Sequence, residues 1–326
     1  LPGSGNQAQL TSDPIGQQER VFTQNILFSD GVPCYADETV EDLQRSGLRL
    51  LQKKQGFRFG TDSVLLAAYA ASFYAASPHR SLRAADLGAG CGAVTLLLGA
   101  RLPGARILGI ESDCASIDVL RRNIALNRLG QRVTALQTDI RTLAGPAWPL
   151  PDVPRHLCDL VVANPPYRLP GHGVAPAAAS RRHAREEGRL PLEDVFRAAA
   201  NLLKPGGRLV LVHQAQRLPD VLRMLPDSRF EAKTLRPVQS LSHKAPAIFL
   251  LSAVYLGRPG GFRLEKPLLI QSQPGVLDPE TLNWYGNEDP LPAQALDLGL
   301  IRYPGFAPDC GGDAHGDKDM ARQGTL

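Results

Sequence analysis

Asn164-Pro165-Pro166-Tyr167 follows the apolar run Leu160-Val161-Val162-Ala163. Residues of these types in this order are suited to presenting a planar amino group to an electrophilic carbon. The nitrogen of an aromatic amine or an amide is a poor nucleophile because its lone pair is delocalised, and it carries two N–H donors. The Asn164 side-chain oxygen and a neighbouring main-chain carbonyl can accept both, which favours the pyramidal geometry of attack. No strong base is needed, because the proton becomes acidic as the new bond forms. Pro165 and Pro166 fix φ and remove two N–H donors, so the carbonyls hold set directions and no local donor competes. Tyr167 offers a flat surface to a group taken out of its stack. The plain alternative is a proline turn that only ends a strand.

A second constellation lies upstream. Asp86-Leu87-Gly88-Ala89-Gly90-Cys91-Gly92 sits between a strand pattern and a helix pattern. Gly88, Gly90 and Gly92 let the main chain approach a ligand closely. Glu111 follows at the end of the next strand, about twenty residues on, the spacing of a carboxylate that accepts ribose hydroxyls. Gly88-x-Gly90-x-x-Ala93 also satisfies a dinucleotide fingerprint. Two features favour S-adenosylmethionine over NAD. Asp86 places a carboxylate where a methionine ammonium would lie, and Asn164 to Tyr167 accounts for an acceptor nitrogen that an oxidoreductase does not need.

Elements must carry these residues to one place. From Ala84 onward short apolar runs alternate with longer helical patterns: strands at 83–87, 106–110, 133–137, 159–163, 208–213, 230–236 and 248–255, and helices at 93–101, 116–129 and 192–203. This order predicts an α/β fold of seven strands, mostly parallel, with helices on both faces. The apolar 63–76 stretch predicts a buried helix ahead of Pro78. Residues 1–36 read as a flexible arm, 37–83 as an N-terminal cap segment, 84–257 as the catalytic domain and 258–326 as a C-terminal extension, disordered towards its Gly- and Asp-rich end.

The bulk numbers are permissive. With 326 residues, 43% hydrophobic and 21% charged, the chain can build a sizeable core. Its net charge of +4 allows a nucleic-acid partner without demanding one. Five cysteines without a C-x-x-C pair argue against a disulfide framework or a zinc site and fit a reducing, cytoplasmic setting. Cys310 and His315 lie in the weak tail, so no metal is expected. The apolar stretch at 64–76 is too short to cross a bilayer, so no membrane partner is expected.

Four segments together resemble the tRNA1(Val) adenine methyltransferase family. They are Leu48 to Gln52 leading to Phe57-Arg58-Phe59-Gly60-Thr61-Asp62 and on to Ala67; the Asp86 to Gly92 loop; Asn164 to Tyr167; and Arg181 to Glu186 with Leu192-Glu193-Asp194. The resemblance covers about residues 38–270. It implies a Rossmann-like seven-stranded methyltransferase sheet and methyl transfer from S-adenosylmethionine to the exocyclic amine of an adenine in RNA, tRNA favoured over rRNA. It places the methionine part against Asp86, Gly88, Gly90 and Gly92, the ribose at Glu111 and the cofactor adenine near Asp139. Thr61 and Asp62 then close the cofactor site, and Asn164 and Tyr167 hold and stack the target amine.

Arg168, Arg181, Arg182 and Arg185 cluster just after the Asn-Pro-Pro-Tyr segment, with Arg189, His172 and His183 nearby. They can grip phosphates beside the target base, with Arg236, His243 and Lys244 on the same rim. A solvated face partly neutralised by Glu186 and Glu187 is the other reading. A glutamine amide of a release factor or ribosomal protein is the rival acceptor, since it fits the same amine chemistry. The roughly fifty residues before Phe57 do not supply the longer helical N-terminal domain such enzymes usually carry. An NAD(P) oxidoreductase and an inactive binding module remain as weaker rivals.

Overall fold

The computed structural model describes residues 27–55, 59–165 and 190–286. The first element replaces the expected loose arm with a hairpin over 27–34; residues 1–26 lie outside those described. Leu27–Ser29 (β1) and Val32–Cys34 (β2) pair antiparallel, with Ser29 opposite Val32. Asp30 and Gly31 both take positive φ, at 49° and 77°. That is the two-residue reversal whose twist matches the strands it joins. A second hairpin follows, Glu38–Asp42 (β3) with Arg49–Lys53 (β4).

Thr61–Ser72 (α1) is apolar nearly all round, with every residue from Asp62 to Ala71 buried. A helix without a polar face must be covered on all sides. It lies against the sheet, Ala93–Arg101 (α2) and the C-terminal helix Pro279–Tyr285 (α7).

The central sheet is built from Leu82–Leu87 (β5), Ala105–Glu111 (β6), Val133–Gln137 (β7), Cys158–Ala163 (β8), Leu203–Gln214 (β9), Phe230–Gln239 (β10) and Ile248–Tyr255 (β11). Their spatial order is β10-β11-β9-β8-β5-β6-β7, with β5 to β9 parallel to one another and β11 antiparallel to both neighbours. The seven expected strands are all present. Two short strands, Arg263–Leu264 (β12) and Leu268–Leu269 (β13), add to the free edge of β10, so the sheet has nine strands among the described residues.

Alternate residues of β8 face opposite layers. Leu160 and Val162 join the core under α1, α2 and Cys114–Leu126 (α3), while Val161 and Ala163 join the core with Leu192–Leu202 (α5) and Leu218–Asp227 (α6). A strand covered on both faces reads as an unbroken apolar run, which is why it stood out in the sequence.

Several boundaries differ from expectation: α1 runs 61–72 where 63–76 was expected, and α3 runs 114–126 where 116–129 was expected. The helix ahead of Pro205 ends at Leu202 and β9 starts at once, so Lys204 to Gly207 form a bulge against β8, with Gly206 at φ 79°. Beyond Gly257 the described chain, residues 258–286, lies in the expected C-terminal extension. It forms β12 and β13, a hairpin of Gln271–Gln273 (β14) with Val276–Leu277 (β15), and α7. The expected disorder of Pro304 to Leu326 concerns residues outside those described.

Candidate cofactor and amino-group site

The strand register carries the two constellations to one edge. Leu87 pairs with Ile110 on one side and Ala163 on the other, so the glycine loop after β5 lies between Glu111, the last residue of β6, and Asn164, the first after β8. This is the carboxyl edge of the parallel strands, where open α/β sheets bind ligands.

The loop needs its glycines for different reasons. Gly88, Gly90 and Gly92 take φ of 77°, 55° and 96°. Gly92 caps α2, and a side chain there would collide with Leu120 of α3. At Gly90 a Cβ would meet nothing within 4 Å, and at Gly88 only Ile140 Cδ1 at 4.0 Å. The loop is therefore tight towards the fold and open outwards, as a cradle for a ligand close to the main chain must be. Gly88 N–H and Ala89 N–H both donate to the Ile110 carbonyl at 2.9 Å.

Glu111 supports the loop from below. Its Oε2 accepts the Gly90 N–H at 2.9 Å, and its Oε1 accepts Ser112 N–H at 2.7 Å and Asp113 N–H at 2.9 Å. Oε1 also accepts the Ser112 hydroxyl at 3.4 Å, so the lone pair left for a further hydroxyl is the second one of Oε2. Asp86 lies deeper than the sequence suggested. It is 1% exposed, and its Oδ2 accepts the Thr95 hydroxyl at 2.6 Å. Burial pushes its carboxyl up to about 7, against the pull of the Thr95 hydrogen bond. Gly109 pairs with Asp86 across β5 and β6, and a Cβ there would crowd Thr95 and Leu120.

Asp139 caps the short helix Ile140–Leu143 (α4), accepting Arg141 N–H at 2.8 Å and the Arg141 guanidinium. Those hydrogen bonds hold its carboxyl below the usual range. Thr61 and Asp62 open α1. Asp62 is buried, with its Oδ1 accepting Ser63 N–H at 2.9 Å, and Thr61 Oγ1 accepts the Tyr285 hydroxyl at 3.0 Å. Tyr285 comes from the C-terminal extension, so a segment the sequence left unassigned reaches a candidate cofactor residue.

On the acceptor side Asn164 is half-buried and Pro165 buried. Pro166, Tyr167, Arg168, Arg181, Arg182 and Arg185 lie outside the described residues, as do Arg189, His172, His183, Phe57 and Arg58. Lys244 lies in the turn between β10 and β11, at the same edge. Arg236 does not belong to that rim. Its two terminal nitrogens donate to the Glu280 carboxylate at 2.7 Å each, and its guanidinium lies 5.1 Å from the Trp284 ring centroid.

Two further groups escaped the sequence reading. His213 lies near the end of β9, whose Leu211 pairs with Ala163. The ring is buried, stacks on Phe249, and accepts Gln214 N–H at Nδ1, and burial pushes it down to about 4. A neutral imidazole therefore sits beside the acceptor edge; the signal was a histidine closing an otherwise apolar strand. Asn123 and Asn127 of α3 bind the main chain of β4 at Leu51 and Arg49. No sequence signal marks that contact, because any exposed helix face can carry asparagines.

The free thiols of Cys34, Cys91, Cys114 and Cys158 are not joined to one another. Among the described residues no group of three or more His, Cys, Asp and Glu forms a metal cluster, and no helix is long and apolar enough to cross a membrane.

Comparisons with known proteins agree with this geometry. Residues 70–226 match the family model described as the methyltransferase small domain. A tRNA1(Val) (adenine(37)-N6)-methyltransferase of Porphyromonas gingivalis is 35% identical over 190 residues, covering 58% of this chain and 71% of the relative. The protein of the same name from Tolumonas auensis is 28% identical over 202 residues, covering 61% and 77%. In structure, a predicted O-methyltransferase from Agrobacterium tumefaciens superposes with a TM-score of 0.53 at 20% identity, over 69% of this chain and 95% of that one. That likeness establishes the shared fold.

Proposed function

Because this chain belongs to the tRNA1(Val) (adenine(37)-N6)-methyltransferase family, we propose that it methylates the exocyclic amine of an adenine in RNA, with tRNA as the substrate and S-adenosylmethionine as the methyl donor. The observation that carries this reading is the Leu87–Ala163 register, which sets Asn164 beside the glycine loop. Donor and acceptor sites then adjoin on one sheet edge.

The donor supplies a methyl carbon bonded to a positively charged sulfur. The chain supplies position. Asn164 Oδ1 accepts one N–H of the adenine amine and a main-chain carbonyl of the same turn accepts the other. As the C–N bond forms, the C–S pair returns to sulfur and the amine loses one proton to solvent. Pro165 contributes no N–H to compete for that carbonyl. Tyr167 stacks on the extruded base, and Arg168, Arg181, Arg182, Arg185 and Lys244 hold the flanking phosphates. Glu111 takes a ribose hydroxyl, Asp139 the cofactor adenine, and Thr61 and Asp62 close the cofactor side. Such work belongs in the cytoplasm.

The test is to incubate the protein with labelled S-adenosylmethionine and, separately, unmodified total tRNA, rRNA and release factor, then digest and identify the labelled residue. N6-methyladenosine from tRNA is the expected product. Label found only in methylglutamine overturns the RNA reading.

A further inference from the structure

The outer edge of β4 is sealed by a helix. Leu51 N–H donates to Asn123 Oδ1 at 2.7 Å, and Asn123 Nδ2 donates back to the Leu51 carbonyl at 2.8 Å. Asn127 repeats the pattern on Arg49, at 2.8 and 2.7 Å. A carboxamide carries the donor and acceptor of a peptide group, so each asparagine serves β4 as a neighbouring strand would. The spacing matches as well: four helical residues rise about 6 Å and two strand residues about 6.8 Å.

The two asparagines differ in their second amide hydrogen. That of Asn127 returns to the Asn123 carbonyl within α3, at 2.8 Å. That of Asn123 leaves the helix and reaches the Cys91 carbonyl in the glycine loop, at 2.8 Å. Asn123 is fully buried and joins three elements: α3, β4 and the loop. Because a peptide unit is planar, holding the Cys91 carbonyl also sets the direction of the Gly92 N–H, which donates to Ala89 O at 2.8 Å. On the β4 side the next residue, Gln52, accepts Phe59 N–H at 3.2 Å, two residues before Thr61. One buried amide thus touches the glycine loop and the strand that leads to the candidate cofactor-closing residues.

We propose that Asn123 is a positioning residue of the cofactor site, coupling the N-terminal hairpin to the glycine loop. The proposal rests on the S-adenosylmethionine reading of that loop. Asn127 is its internal control, since it docks the same strand without touching the loop.

The experiment measures S-adenosylhomocysteine binding by calorimetry, melting temperature, and kcat and KM for S-adenosylmethionine, in the parent chain and in Asn123→Ser, Asn123→Asp, Asn127→Ser and Asn127→Asp. Asn123→Asp is nearly isosteric and keeps the acceptor for Leu51 N–H while losing the donors to both the Leu51 and the Cys91 carbonyls, so, set beside Asn127→Asp, which loses only its strand and helix contacts, it reads out the loop contact where Asn123→Ser fails to fold. The expected result is a loss of affinity of about fivefold or more in the Asn123 variants, with kcat at saturating cofactor little changed. Asn127→Ser is expected to lower the melting temperature and leave affinity within about twofold. Equal affinity changes at both positions, no change at Asn123, or a fall in kcat without loss of affinity each overturn the proposal. If the parent chain itself binds no S-adenosylhomocysteine, the cofactor reading fails first, and the two failures are distinguishable.

Discussion

Thr95 Oγ1 donates to Asp86 Oδ2 at 2.6 Å beneath the glycine loop, and the Thr95 main chain donates to the same carboxyl, which β5, β6 and α2 otherwise enclose. These hydrogen bonds do not replace the water a carboxylate loses on burial, so the proton is held to about pH 7.

A stability dependence follows. The Asp86 carboxyl is raised from its ordinary 3.8, so the folded chain binds this proton more tightly than the unfolded chain. The contribution is fully present below about pH 4 and is lost as pH rises through about 7. Melting curves of Asp86→Asn should fall less steeply over that window than those of the parent chain. Identical slopes would show that the carboxyl titrates as an ordinary surface aspartate.

Glu38 behaves in the opposite sense. Burial alone would raise its carboxyl, but hydrogen bonds from Arg122 at 2.7 Å to each oxygen, from Tyr35 N–H and from Lys53 hold it at about 2. Its stabilisation is present above the ordinary glutamate value of 4.5 and is lost as pH falls towards 2. Glu38→Ala leaves Arg122 without its buried partner and should cost about 3–5 kcal/mol by urea unfolding. A loss under about 1 kcal/mol would mean that water replaces the carboxylate.

Gly90 and Gly92 should separate binding from folding. Gly92→Ala forces a Cβ against Leu120 at a positive φ and should lower the melting temperature markedly. Gly90→Ala meets no neighbour and carries only the positive-φ cost of about 1–2 kcal/mol. Its Cβ projects into the open cradle, so loss of S-adenosylhomocysteine affinity should exceed the loss of stability.

Asn164→Ala should reduce transfer by on the order of a hundredfold or more while leaving cofactor affinity unchanged, because it removes the acceptor proposed for the amine. Single-turnover assays beside calorimetry check this. Retained turnover would remove Asn164 from the mechanism.

Arg236→Ala should lower the melting temperature, by about 1 kcal/mol of stability, through loss of the Glu280 pair and the Trp284 contact. Its RNA affinity should match the parent chain. Arg181→Ala combined with Arg182→Ala should show the reverse, with weaker RNA binding in a filter assay and unchanged cofactor binding.

The local residue pattern determined much of this protein by itself. Val133–Gln137, Ala93–Arg101 and Ile248–Tyr255 have the bounds their apolar runs predict, since side-chain periodicity and glycine or proline stops act within a few residues. The glycine loop and Asn164 were legible as features of one sheet edge for the same reason: each belongs to a segment contiguous in sequence. The Asp30-Gly31 reversal was passed over, although Asp-Gly favours positive φ, because the composition around it read as a loose arm.

Tertiary structure decided what depends on distant partners. Arg236 reads as a surface cation until Glu280, far along the chain, takes its guanidinium. Asp86 reads as a ligand carboxylate until Thr95 and the closing sheet bury it. Asn123 and Asn127 carry no local signal, because what they bind is the main chain of a strand over seventy residues earlier, and main-chain groups look alike in every sequence. Neighbouring side chains suffice to specify a strand or a glycine loop. Which charges pair, and which hydrogen bonds hold that loop in place, is settled only when remote segments meet and exclude water.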